Sequence, residues 1–162
     1  MTDQNLAEAP RGETAPPSAA AEPSVALPSP LPASYPGEPK ELVAYRRKPG
    51  DEKAFVKLRR QFRDSEDWRA LATLLVIHAA HMQAHGDPRG KASELCIQAY
   101  ELWLERVRDR PAAAHALARA VMLKPDNARA YDRLRKLYEG LGARKELITL
   151  LRFRLSATRD NR

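Results

Sequence analysis

The sequence predicts an all-α fold of stacked, antiparallel helix pairs behind a disordered N-terminal tail. Three observations carry this. Past residue 50 the large apolar residues recur with helical spacing, and no segment alternates with period two. Glycine and proline breaks leave only short loops, so successive helices must lie antiparallel beside one another. The chain also matches itself when shifted, large apolar residues falling on large apolar residues in three helix pairs.

The elements follow in order. The 162 residues suit one modest domain with room for a tail, and ten of the 13 prolines lie within residues 1–50 among much Ala, Ser and Glu. Such a stretch buries too little apolar surface to offset its ordering entropy, so residues 1–38 are expected to be disordered. Residues 39–51 read as a short capping half-repeat. Phe55, Leu58 and Phe62 share one helix face, and Trp68, Leu71, Leu75 and Ala79 share the next. A break follows at His85-Gly86-Asp87-Pro88. Leu95, Tyr100, Trp103 and Leu104 mark a long helix that stops near Asp109-Arg110-Pro111. Pro111 suits the first turn of the following helix, where its missing N–H is not needed. That helix carries Leu117, Val121 and Leu123. Lys124-Pro125-Asp126-Asn127 is a turn, with Asn127 as N-cap. Tyr131, Leu134 and Tyr138 follow, and Gly140-Leu141-Gly142 ends their helix with residues that readily take the left-handed cap. Leu147, Leu150, Leu151 and Leu155 form the last helix.

At a shift of 34, Ile97, Tyr100, Leu104, Ala113 and Leu117 fall on Tyr131, Leu134, Tyr138, Leu147 and Leu151, and Asp126-Asn127 on Asp160-Asn161. At a shift of 42 in the other direction the same five fall on Phe55, Leu58, Phe62, Leu71 and Leu75; the extra eight residues lie around residues 86–93. The repeats therefore span residues 52–85, 94–127 and 128–161.

Tyr100, Leu104, Ala113, Leu117, Ala120 and Pro125, followed by Tyr131, Leu134, Tyr138 and Gly142, resemble the tetratricopeptide repeat family. The run Ala113–Ala128 is the most family-like piece. His78 stands where the family prefers a small residue, and Arg154 replaces the small residue of the last repeat. The resemblance implies a right-handed α-α superhelix of about three helix pairs over residues 52–161. It also implies that Ala113 and Ala120 let helices approach closely and that Pro125 ends one repeat.

In such proteins the first helix of each pair lines a concave groove. Carried over residue by residue, the groove positions are Lys53, Val56, Arg60 and Arg63, then Leu95, Gln98, Leu102 and Glu105, then Arg129, Asp132, Arg133 and Lys136. The candidate binding residues are thus Lys53, Arg60, Arg63, Gln98, Glu105, Arg129, Asp132, Arg133 and Lys136. Arginines there can grip carboxylates bidentately. Arg129 and Arg133 resemble the basic pair of the family's clamp for chaperone C-termini, but Arg60 and Ala99 replace its asparagines, which argues against that clamp. The implied function is a scaffold or adaptor binding a protein or acidic peptide.

The charge pattern is compatible with this. The net charge is +7, with −1 in residues 1–50 and +8 in the remainder, so the fold favours acidic partners. The alternative is RNA or other nucleic acid, bound through Arg59, Arg60, Arg63, Arg133, Arg135 and Lys136. These repeats lack a base-reading pattern, and their aromatic residues belong to the expected core, which ranks that alternative second.

No catalytic signature is present: there is no phosphate-cradling glycine loop, nucleophile elbow or dinucleotide fingerprint. His78, His81 and His85 have spacing that can place ligands on one helix face. No carboxylate lies among them, so a structural or solvent-facing role is expected, with no metal and no cofactor. Cys96 is expected to be a buried small hydrophobe, and pairing it with His115 as a dyad would need a third orienting group. Glu101 and Glu105, with Arg106 and Arg108, read as a solvated, salt-bridged face. A single cysteine excludes an internal disulfide and fits a reducing compartment, and neither a secretory signal nor a membrane-spanning run is visible. The expectation is a cytoplasmic monomer or weak dimer.

Overall fold

A computed structural model describes residues 30–87 and 90–159. The tail over residues 1–29, the Pro88 break and the Asp160-Asn161 correspondence lie outside the described residues. Among the described residues the fold is all-α, with seven α-helices and no strand: α1 Lys40–Arg47, α2 Glu52–Asp64, α3 Trp68–Ala84, α4 Lys91–Leu102, α5 Arg110–Leu123, α6 Ala128–Leu141 and α7 Arg144–Arg159. A π-helical turn, Trp103–Val107, extends α4.

The helix starts are set by local chemistry. Asp51, Asp67, Asp109 and Asn127 each accept, through a side-chain oxygen, the N–H of the residue three positions on, at 3.0–3.1 Å. Each satisfies one of the N–H groups that a helix start leaves without an intrahelical partner. Pro111 stands in the first turn of α5, and Gly142 closes α6 in the left-handed conformation at φ 66°. Asp87 Oδ2 accepts from Ala92 N–H at 2.6 Å, tying the loop to the start of α4.

Consecutive helices pack on one another from α1 to α7, and the short connections make neighbours antiparallel. α3 lies at the centre, packed by α1, α2, α4 and the π turn. This is why residues Ala70 to Ala79 are buried without interruption, where α2 and α6 bury one face only. Small side chains permit the closest approach: Ala99, Ala113 and Ala120 are fully buried, and Ser93 Oγ donates to the Ala120 carbonyl at 3.0 Å across α4 and α5. Cys96 is fully buried, and burial pushes its thiol up to about 12.

Residues 30–38, which composition places at the end of a disordered tail, are instead laid on the fold and held at Pro32, Tyr35 and Glu38, which are half-buried while the other residues stay exposed. They lie against α3 and α5 as a strap, sharing a cavity of about 410 Å³ with Arg69, Thr73, Val76, Trp103, Ala112 and Ala116. Arg46 of α1 holds the strap twice, donating to the Pro32 carbonyl and pairing with the buried Glu38 carboxylate. The Tyr35 ring lies under the Arg69 guanidinium, 4.5 Å from its centroid, and burial raises the phenol to about 12. The order here comes from tertiary partners of two polar side chains, which composition does not reveal.

Candidate binding crevice on the α2, α4 and α6 side

All nine candidate groove residues are exposed. Side-chain contacts connect the helices that carry them. Arg59 of α2 donates to Gln98 Oε1 of α4 at 3.1 Å, and Glu101 of α4 lies 3.8 Å from Arg133 of α6. Between α2 and α4 this creates a crevice of about 410 Å³. Trp68, Leu71, Leu75 and Leu102 give it an apolar lining, while Arg59, Arg63, Gln98, Glu101, Glu105 and Arg106 supply the polar groups. Arg106 is itself fixed, its guanidinium 5.1 Å from the Trp68 ring centroid.

The structure brings together Arg63, Gln98 and Glu105 of the nine. Lys53 and Arg60 turn to another side of α2, where they line a wide, shallow concavity with Glu52, Val56, Lys57 and Asp64. Arg133 reaches the first crevice only through Glu101. Arg129, Asp132 and Lys136 line neither concavity. The nine residues are thus distributed over these two concavities and the exposed face of α6. The reason is helical: Arg60 lies one residue from Arg59, and a step of one residue turns the side chain by roughly 100° about the axis. Sequence reasoning placed Arg59 only with the nucleic-acid alternative and Glu101 and Arg106 on a solvated face, so none of the three was assigned to the groove. The signal was present in the 42-residue shift, which places Arg59 on Glu101 and Arg63 on Glu105.

Arg63 makes no ion pair among the described residues and stays open to an incoming carboxylate. Other cations are already engaged. Arg60 lies 3.7 Å from Asp64, Arg135 lies 3.0 Å from Glu139 and Arg133 faces Glu101. All these pairs are solvent-exposed and individually weak.

The histidines form no metal cluster: no group of three or more His, Cys, Asp or Glu among the described residues is arranged to hold an ion. His78 is buried and structural. It stacks on Phe55 at 3.8 Å between ring centroids, and its Nδ1 lies 2.7 Å from the Tyr45 hydroxyl. That hydroxyl also accepts from Gly50 N–H at 3.4 Å. On the other side of the ring Nε2 faces Glu52 Oε2 at 3.5 Å. Burial lowers the His78 pKa, with Glu52 opposing and His81 reinforcing the shift. His81 and His85 pair with each other at the surface, ring centroids 4.0 Å apart.

No helix of the described residues is long and apolar enough to cross a membrane. No protein-family model, curated protein or solved structure matches the chain.

Proposed function

We propose that this protein is a non-catalytic, cytoplasmic scaffold of the tetratricopeptide type that holds an acidic peptide segment of a partner protein. The crevice between α2 and α4 supports the reading. It combines an apolar floor with three guanidiniums, from Arg59, Arg63 and Arg106, against the two carboxylates of Glu101 and Glu105. An apolar anchor of the peptide would sit against Trp68 and Leu71, and a neighbouring Asp or Glu would meet Arg63 in bidentate geometry. The lone thiol of Cys96 suits a reducing compartment. Nucleic-acid binding ranks second, because Arg60, Arg133 and Arg135 already face carboxylates.

The test is selection of displayed random peptides on the full chain, followed by fluorescence anisotropy of the enriched sequences. Enriched peptides should carry Asp or Glu beside an apolar anchor, and the Arg59→Glu/Arg63→Glu variant should bind them at least ~tenfold more weakly. Equal binding by the variant, or enrichment of peptides without acids, would refute the assignment.

A further inference from the structure

Helix α7 presents a second surface of different character. Ile148, Leu151 and Leu155 are 50, 45 and 63 % exposed, and their spacing of three and four aligns them in one stripe. The opposite side of the helix is occupied: Leu150 is fully buried, and Leu147 and Phe153 pack against the core. The stripe is therefore additional to the face that holds α7 on the fold.

The internal repeat says what kind of object fits there. Shifted by 34 residues, Ile148, Leu151 and Leu155 become Ala114, Leu117 and Val121 of α5, which are 3, 0 and 1 % exposed. Shifted by a further 42 they become Ala72, Leu75 and Ala79 of α3, at 0, 1 and 0 %. α3 and α5 each carry a following helix, α4 and α6. The stripe on α7 is thus the register equivalent of positions that are closed wherever another helix follows.

Charge selects the occupant. Arg144, Lys145, Arg152 and Arg159 lie on or beside the stripe and are exposed, while Glu146, the one acid of α7, is half-buried towards Tyr138. A second copy docking α7 on α7 would set these cations against themselves. The exposed Val56 on α2 is a single apolar residue among Lys53, Lys57, Arg60, Glu52 and Asp64, too little apolar surface to match a stripe of three. The apolar stripe is also narrow, three residues in a single line between polar neighbours, which leaves little apolar area to bury in a lipid interface. We propose that the Ile148–Leu151–Leu155 face of α7 docks an acidic amphipathic helix of another protein, laid on α7 as α6 lies on α5.

The experiment uses the full chain and a fluorescent, helix-forming probe peptide with Leu at i, i+3, i+4 and i+7 and Glu and Ala elsewhere. A scrambled peptide of the same composition is the control. Anisotropy should show binding of the probe and not of the scramble. Leu151→Gln/Leu155→Gln and, separately, Arg152→Glu/Arg159→Glu should each weaken it at least ~tenfold, with thermal unfolding unchanged. Arg59→Glu/Arg63→Glu should leave it intact, which separates this surface from the α2–α4 crevice. Equal binding of the scramble, or no loss in either α7 variant, overturns the proposal. So does self-association in sedimentation velocity that Leu151→Gln/Leu155→Gln abolishes, which would make the occupant a second copy. Co-sedimentation with phosphatidylserine-containing vesicles that the same variant abolishes would instead make it a lipid surface.

Discussion

Replacing Tyr45 by Phe removes one oxygen from the contact that holds α1 on the fold. The hydroxyl is hydrogen-bonded to His78 Nδ1 at 2.7 Å and accepts from Gly50 N–H at 3.4 Å, while the residue is 4 % exposed. The substitution keeps the apolar area, so the loss comes from hydrogen bonding. A buried polar group deprived of its hydrogen-bond partner costs about 1–3 kcal/mol. The Gly50 contact is long and part-buried and adds little, so the expected loss is about 2 kcal/mol. Urea unfolding at neutral pH measures it, provided both proteins share one slope. Acid should act on the same contact. His78 is neutral in the fold because burial depresses its pKa, with Glu52 alone pulling the other way. The unfolded chain takes up this proton near the ordinary value of about 6.5. Stability from His78 is therefore fully present above about pH 6.5 and is lost as pH falls towards the lower folded pKa. His78→Phe retains the stack on Phe55 and should flatten the decline between neutral and mildly acidic pH. A Tyr45→Phe change below about 0.3 kcal/mol, with an unaltered acid decline in His78→Phe, would refute the reasoning.

Other consequences are equally accessible. Asn127→Ala should cost about 1 kcal/mol through loss of the cap to Ala130 N–H, and Asn127→Asp should restore it, both read by thermal unfolding. Ala120→Leu should cost about 1–3 kcal/mol, because its Cβ sits fully buried at the α4–α5 contact where Ser93 reaches its carbonyl. Cys96 should resist a thiol reagent in the native chain at mildly alkaline pH and react at once in denaturant, since burial removes both access and thiolate. Gly50→Ala should destabilise the α1–α2 connection, because the residue has φ 107° and a Cβ there would collide with the His81 ring; hydrogen exchange of α1 amides would report it.

Helix ends were legible from the chain because their chemistry is local. Asn127, Pro111 and Gly142 act within one turn, and each stands where the turn signals place it. The core was equally legible in Phe55, Leu58, Phe62, Tyr131, Leu134 and Tyr138, all buried as their spacing requires. Leu151 shows where spacing stops sufficing. It shares a register position with the fully buried Leu117, yet it is 45 % exposed, since burial depends on a following helix rather than on the residue. The π turn at Trp103–Val107 had no local signal; the Arg108 N–H reaches back five residues to the Trp103 carbonyl, which widens the turn, and the Asp109 N–H closes on the same carbonyl at 2.9 Å. For the crevice, the face of α2 was legible but its direction was not. Arg63 turns inwards to the rim with Arg59, while Arg60 turns away, a difference of one residue that only the packed helices reveal.

The strap of residues 30–38 changes where this fold begins. A shortened chain starting at Lys40 keeps every α-helix yet strips the cover from Val76, Trp103, Ala112 and Ala116. It also leaves Arg46 without its carboxylate and Arg69 without its ring. Such a truncation would present a fresh apolar furrow edged with two released cations, and anything it captured through that furrow would be an artefact of the cut. Binding measurements on this protein therefore belong to chains that retain residues 30–38, with the clasp between α1 and the strap intact.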